Sequence, residues 1–344
     1  MPTYQENHRT AADLTAQARA AADLAALGYR LGRFLPSRDN FSLTYDFNVN
    51  DIGLTDLAEY RAFDTEANYG QGAASGGARS GALPPVSRKY RVKEQEQLQL
   101  FIGGTSLIGD KQDEYARKGG TAIAARVALA QAQAIEFAKV TLKENKLDVT
   151  IDYGRNAAHN VIAAQQFTDP DADLIDELES YAATYRAANG TNPGTTLVSQ
   201  RIITALSKNK SVIGYAVGRS DNLPSRVAYP DVISFLAAYG FLGVEVFDAV
   251  LDKTRLLSDN KMFLLPSDET ATLDGGPLGT TEWGITAESI QPVYKIADAE
   301  RPGIFSAAFD DNDPQGTDVL STAVVIPALT NADATFVVQV IPAA

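Results

Sequence analysis

The sequence predicts an α+β protein, and three observations predict it. Residues 41–49, FSLTYDFNV, alternate strictly between apolar and polar, the period of a strand with one buried face. Ile123, Val127, Ala130, Ala134 and Phe137 recur at steps of four and three, which marks a helix with one buried stripe. From residue 165 to 300, helical and strand signals alternate in short stretches, the texture of a compact mixed unit.

The elements follow in order. Residues 10–28, TAADLTAQARAAADLAALG, are alanine-rich, open with Thr10 three residues before Asp13 as a capping box does, and stop at Gly28. The apolar face of this helix is small, so residues 1–28 are expected to contribute little to a core and to be dispensable for folding but not for assembly. After the strand at 41–49 comes a glycine-rich finger. Gly70, Gly72, Gly76, Gly77 and Gly81 are followed by the stiff pair Pro84-Pro85, and RKYRVKEQEQLQLFI then resumes a period of two. Residues 41–102 thus read as an outgoing strand, a flexible tip and a returning strand. A hairpin alone is marginal in water, so its apolar face is expected to lie on the body of its own chain or on a neighbouring copy.

Residues 110–145 carry the longest helical signal, expected to be regular from about residue 120, with Gly119-Gly120 marking a kink or the true start. LDVTIDYG at 147–154 is a strand. FTDPDADLIDELESYAATYRAANG then places Asp169-Pro170 and further acids ahead of a helix that ends at Gly190. Helices at about 195–208 and 230–239 alternate with strands at GVEVFDAVL, KMFLLP and TATLDG. The tail returns to strands in GIFSAAFDD, VLSTAVVIPA and ATFVVQVI.

Composition narrows the function. At 344 residues and 45% hydrophobic the chain has material for a large core, in one elaborate domain or two, which excludes disorder of the whole. Thirty Lys and Arg against 43 Asp and Glu give a net charge of -13, which argues against tight general binding to nucleic acid. No cysteine is present, so disulfides, thiolate metal sites and cysteine nucleophiles are excluded. MPTYQENHRT has no apolar signal core, and no apolar run reaches the roughly 18 residues of a membrane span.

Chemistry-bearing motifs are sparse. The two histidines, His8 and His159, have no partners at ligand spacing, so no triad or zinc site is proposed and both are expected to be structural or surface residues. The acidic clusters DPDAD at 169–173 and DDNDPQGTD at 310–318 lack the glycine and glutamate of a calcium loop, and read as a helix N-cap and a hairpin turn. GQGAASG does not lead from a strand into a helix, so it is not a phosphate loop. Arg88, Lys89, Arg91 and Lys93 form the one concentrated basic patch of an acidic chain. They are read either as a solvated strand face or as half of a contact between copies.

The phrases YRAFDTEANYG at 60–70 and LPPVSRKYRVKEQEQLQL at 83–100 resemble the lambda-type major capsid proteins of tailed bacteriophages, especially phages of actinobacteria. LDVTIDYG, FTDPDADLIDEL, SFLAAYGFLGVEVFDAVLDK with KMFLLP, and VVIPALTNADATFVVQV extend the resemblance in order along the chain. It implies the Hong Kong 97-type phage major capsid fold. The implied parts are an N-terminal arm at 1–40, an extended-loop hairpin at 41–102, a peripheral domain with a long spine helix at 103–164, an axial domain at 165–300 and C-terminal strands at 301–344. The implied function is structural: self-assembly as hexamers and pentamers into an icosahedral head around double-stranded DNA. Scaffold, portal and decoration proteins are its implied partners, the virion its location and the host bacterial cytoplasm its place of assembly.

No catalytic residue, cofactor or metal is assigned. The finger, with its five glycines, Pro84, Pro85, Arg88, Lys89, Arg91 and Lys93, is the expected contact between subunits. A chain segment that cannot bury its own surface is stabilised by lying across an adjacent copy. Two alternatives stand beside this: an encapsulin-type shell enclosing an enzyme cargo, and a metal-dependent enzyme using Asp169, Asp171 and Asp173.

Overall fold

The computed structural model of the protein describes residues 9–48, 78–103, 106–218, 224–268, 276, 278–312 and 315–342. Its helices are α1 (Ala11–Tyr29), α2 (Glu94–Gly103), α3 (Ser106–Phe137), α4 (Ile175–Asn189), α5 (Gln200–Leu206), α6 (Lys210–Val217) and α7 (Tyr229–Ala238). Its strands begin with β1 (Ser37–Asp39), β2 (Thr44–Asn48), β3 (Ala78–Ala82), β4 (Pro85–Lys93), β5 (Lys139–Glu144), β6 (Leu147–Asp152), β7 (Asn160–Ile162) and β8 (Thr195–Val198). They continue with β9 (Val244–Val246), β10 (Val250–Leu251), β11 (Thr254–Arg255), β12 (Lys261–Leu265), β13 (Gly279–Gly284), β14 (Phe305–Asn312), β15 (Gln315–Leu329) and β16 (Phe336–Gln339). The chain divides into two compact units, the first of residues 1–46, 80–131 and 281–328, the second of 47–79, 132–280 and 329–344.

In the first unit, strands run in the order β1-β13-β15-β14, and β4 also pairs with β15. The core of this unit joins Leu14, Ala18 and Ala22 of α1 to Ala116, Ile123, Ala124 and Val127 of α3 and to Ile304, Val319, Ala323 and Val325. Of the spine-helix stripe expected from the sequence, Ile123 and Val127 lie in this core, Ala130 and Ala134 are also buried, and Phe137 is 53% exposed.

Helix α1 corrects the expectation that residues 1–28 are dispensable. Thr10 caps it as predicted, its hydroxyl accepting from the Asp13 amide at 3.1 Å. It runs past Gly28 to Tyr29 because Arg30 takes the left-handed conformation that ends it, at φ 62°. The Thr15 hydroxyl donates to the Ser306 carbonyl at 3.1 Å and accepts the Ser306 amide at 3.0 Å. Arg19 donates to the carbonyls of Ile304, Glu300 and Pro302 at 2.7–2.9 Å. The small alanine face matters through close approach rather than area. A Cβ on Gly120 would lie 2.0 Å from the Ala18 carbonyl oxygen, and one on Gly119 2.2 Å from the Ser321 hydroxyl. The two glycines do not mark the start of the helix: they lie inside α3, where α1 and β15 come close.

Two further boundaries move. The returning strand ends at Lys93, and EQEQLQLFI is the helix α2. Gln, Glu and Leu are good helix formers, acids favour a first turn, and the buried Gln97 amide donates to the Thr317 hydroxyl at 2.7 Å. Helix α3 stops at Phe137 instead of 145, because Ala138 has φ 49° and KVTLKE buries Val140 and Leu142 in strand alternation. Strands β5 and β6 then form a hairpin whose turn residues Asn145 and Lys146 both have positive φ.

In the second unit, the sheet order is β7-β16-β12-β8-β9, so the C-terminal strand β16 is inserted between strands from the middle of the chain. It runs parallel to β7 and antiparallel to β12. Residues of α4, α5 and α7, among them Leu178, Tyr185, Ile202 and Phe235, share a core with Leu264, Phe336 and Val338. The segment expected as one helix at 195–208 is strand β8 followed by α5, the break falling at Ser199, whose hydroxyl accepts the Ile202 amide at 3.2 Å. The expected strand TATLDG lies outside the described residues.

The end of α3 is held by side chains distant in sequence. Arg155 donates to the carbonyls of Ile135 and Glu136 at 3.0 and 2.6 Å and to the Thr335 hydroxyl at 3.0 Å. Burial lowers its pKa to about 10. The Glu136 carboxylate is buried and takes Lys261 at 2.7 Å and the Ser258 hydroxyl at 2.6 Å.

Candidate assembly surface

The expected contact surface is rooted in the first unit. β2 and β3 pair as a two-stranded sheet, and the Leu83 amide donates to the Leu43 carbonyl at 3.1 Å, so the outgoing and returning arms of the finger meet at its base. At Gly81 a Cβ would sit 2.5 Å from the Tyr45 hydroxyl oxygen, so a larger residue there would have to push the tyrosine ring aside. Gly70, Gly72, Gly76 and Gly77 lie outside the described residues.

Past this root, the Pro84 carbonyl accepts the Val325 amide at 3.2 Å and Pro85 opens β4, a position where a strand tolerates the missing N–H. β4 then runs antiparallel to β15 from Pro85 opposite Val324 to Lys93 opposite Gly316. Among the described residues it pairs with no other strand.

The basic run divides. Lys89 pairs with the buried Asp318 at 2.7 Å, and Arg91 with Asp311 at 3.0 Å, so these two cations neutralise carboxylates of their own chain. Arg88 and Lys93 are exposed, and among the described residues neither has a carboxylate partner; the Arg88 guanidinium lies 5.8 Å from the ring centroid of Tyr90. Exposed apolar side chains flank the hairpin: Phe41 and Leu43 on the outgoing arm, and Leu98 and Ile102, one turn apart, on α2.

The remaining candidates resolve into structural roles. His159 is buried with its ring 5.2 Å from Phe336, and His8 lies outside the described residues. In the first acidic cluster, Asp169 accepts the Asp171 amide, Asp173 accepts the Ile175 amide at the start of α4, and Asp171 pairs with Lys210. In the second, Asp310 accepts the Thr317 hydroxyl at 3.0 Å beside the ion pairs of Asp311 and Asp318. Among the described residues these carboxylates act as turn and ion-pair groups around the start of α4 and the β14–β15 pair. No helix among the described residues is long and apolar enough to cross a membrane.

Comparison with known proteins fits this picture. The phage major capsid protein E family matches residues 11–340. Two solved structures share the fold. The putative capsid protein of an Escherichia coli CFT073 prophage has 14% identity and a TM-score of 0.57, over 95% of this chain and 98% of that one. A phage-related protein of Bordetella bronchiseptica RB50 has 15% identity and a TM-score of 0.53, over 94% and 97%. No curated protein matches the chain. The architecture is the Hong Kong 97-type capsid fold, and the protein is structural rather than an enzyme. The chain belongs to the phage major capsid protein E family and is a structural protein of the capsid.

Proposed function

We propose that the protein assembles as hexamers and pentamers into an icosahedral head that encloses phage double-stranded DNA, with the finger at 65–93 of each copy lying on an adjacent copy. The observation that carries this reading is the root of the finger. Its base is fastened by Gly81 against Tyr45 and by the β4–β15 ladder, while Arg88, Lys93, Phe41, Leu43, Leu98 and Ile102 stay exposed around it. A closed shell gives every copy a neighbour to cover such a surface, and many modest contacts sum over the lattice.

The segments are assigned as extended loop at 41–102, peripheral domain at 103–164, axial domain at 165–300 and closing strands at 301–344. The arm role of residues 1–40 does not rest on α1, which is fixed in its own subunit's core. A net charge of -13 suits a wall that does not hold its DNA tightly. Scaffold, portal and decoration proteins are the remaining partners, assembly takes place in the cytoplasm of the host bacterium, and the phrases shared with capsid proteins of actinobacterial phages favour a host of that kind.

The test separates folding from assembly. Deleting Gly70 to Gly77, which spares the β2–β3 root of the finger, is expected to leave circular dichroism and thermal melting native while sedimentation shows no shells. Normal shells from this variant, or an unfolded chain, contradict the assignment of the finger.

A further inference from the structure

A cavity of about 220 Å³ opens in the first unit between the C-terminal half of α1, the middle of α3 and the edge strand β1. Its chemistry follows from register. β1 runs parallel to β13 with Ser37 opposite Thr281 and Asp39 opposite Trp283, and alternation sends these four residues to the cavity. Arg38 and Glu282, which approach to 3.9 Å, belong to the other face. The Trp283 indole N–H donates to the Ser37 hydroxyl at 3.1 Å, which fixes the ring as a wall. From α1 come Asp23 and Tyr29, and the floor is alanine from α1 and α3.

The cavity has one cation of its own, Arg19, and that guanidinium is committed to three backbone carbonyls. Burial lowers its pKa, an effect that Glu300, Asp39 and Asp23 only partly offset. Asp23 and Asp39 are both exposed, and among the described residues neither carboxylate is within ion-pair distance of a cation, although both act on Arg19 from farther off. Two unpaired carboxylates, an aromatic wall and an alanine floor suit a long cationic side chain. Its methylenes would cover the alanines, and its head would meet the carboxylates and the face of the indole.

We infer that this cavity receives Arg88 of a second copy. The inference rests on the proposed assembly of copies into a shell, and it names one contact within it. Arg88 is chosen because Lys89 and Arg91 are already neutralised by Asp318 and Asp311, while Arg88 is exposed on a strand held in register and pairs with no carboxylate among the described residues. A knob and a socket at different places on the same chain make a heterologous contact, the kind that closes into rings of copies.

The experiment is a charge exchange. Asp39→Arg and Arg88→Asp are each expected to melt like the unaltered protein and to raise the concentration needed for shells by about tenfold or more, and the double variant is expected to recover most of that loss. Singles that assemble normally, or a double no better than the singles, overturn the inference. Because the chain has no cysteine, Asp39→Cys with Arg88→Cys supplies the only two thiols. Oxidised particles of that variant are expected to run as a ladder of multimers on a non-reducing gel, with no ladder from either single variant. Particles that yield only monomers overturn the inference. Unaltered protein assembled in parallel separates the two claims: its failure to form shells overturns the assembly reading and the contact with it, whereas normal shells without a ladder overturn the contact alone.

Discussion

Leu14→Ala tests whether α1 belongs to the subunit core. Leu14 is fully buried in a cluster with Ala116, Ile123 and Val127 of α3 and with strand residues Ile304 and Val319. The site is closed on all sides by elements that α1 itself bridges, so it has little freedom to collapse, and the loss is expected at about 2–5 kcal/mol. Thr15→Val is nearly isosteric and leaves the buried Ser306 amide and carbonyl without the partner they share, a further cost of about 1–3 kcal/mol. Deleting residues 1–29 removes both contributions together with the three carbonyl bonds of Arg19, and the total is comparable to the whole stability of a domain, about 5–15 kcal/mol. Urea unfolding followed by circular dichroism, on each variant at one protein concentration, reads these losses. A Leu14→Ala midpoint within error of the unaltered protein, or a soluble deletion variant with a cooperative native-like melt, would refute the placement of α1 in the core.

Other outcomes follow from the same contacts. Gly120→Ala puts a methyl where 2.0 Å separates it from the Ala18 carbonyl oxygen, so it is expected to destabilise by about 1–3 kcal/mol although alanine is the better helix former, and a gain in thermal stability would contradict the close approach. Arg155→Met leaves the Ile135 and Glu136 carbonyls at the end of α3 without their donor, an expected loss of about 1–3 kcal/mol in a denaturant titration, and a neutral result would remove the capping role. The Glu114 carboxylate is held down to about 2 by hydrogen bonds from Lys118 and Lys111. A depressed carboxyl stabilises the fold above its ordinary pKa, and the contribution disappears as pH falls from about 4.5 to about 2. The side chain is 40% exposed, so solvent screening keeps the effect below about 1 kcal/mol. Glu114→Gln is expected to melt slightly below the unaltered protein at pH 6 and to converge with it near pH 2, and a gap that widens on acidification would contradict the sign.

What could be read from the sequence was local. Thr10 with Asp13, Gly190, and the stripe Ile123, Val127, Ala130 and Ala134 announce their roles through spacing within a few turns, and each stands where the spacing puts it. The shared phrases around RAFDTEA and LPP carried the fold, because their order along the chain constrains it more than any one of them. What escaped depends on partners far away in sequence. Alanines of α1 become core residues only because Gly120 admits them, and Gly119-Gly120 reads as a helix breaker until Ser321 and Ala18 are beside it. EQEQLQLFI satisfies both a period of two and a helix, and Thr317 across from Gln97 favours the helix. Nothing local marks Ala138 for positive φ or Arg155 for the end of α3.

The candidate surface was half legible. Composition singled out the basic run, but the division of its labour between Lys89 and Arg91 on one side and Arg88 and Lys93 on the other depends on where β15 places Asp318 and on Asp311 in the neighbouring β14. The cavity under α1 had no sequence signal, since its carboxylates and its tryptophan come from segments joined only by the β1–β13 register.

The central claim is that this chain builds a closed shell. Electron microscopy of particles purified after co-expression with the neighbouring genes tests it most directly, with the reconstruction resolved far enough to trace residues 65–93. The account predicts uniform icosahedral particles in which that segment of each copy crosses an adjacent copy. A stable small oligomer with no particles, or particles in which the segment folds back on its own subunit, would contradict it.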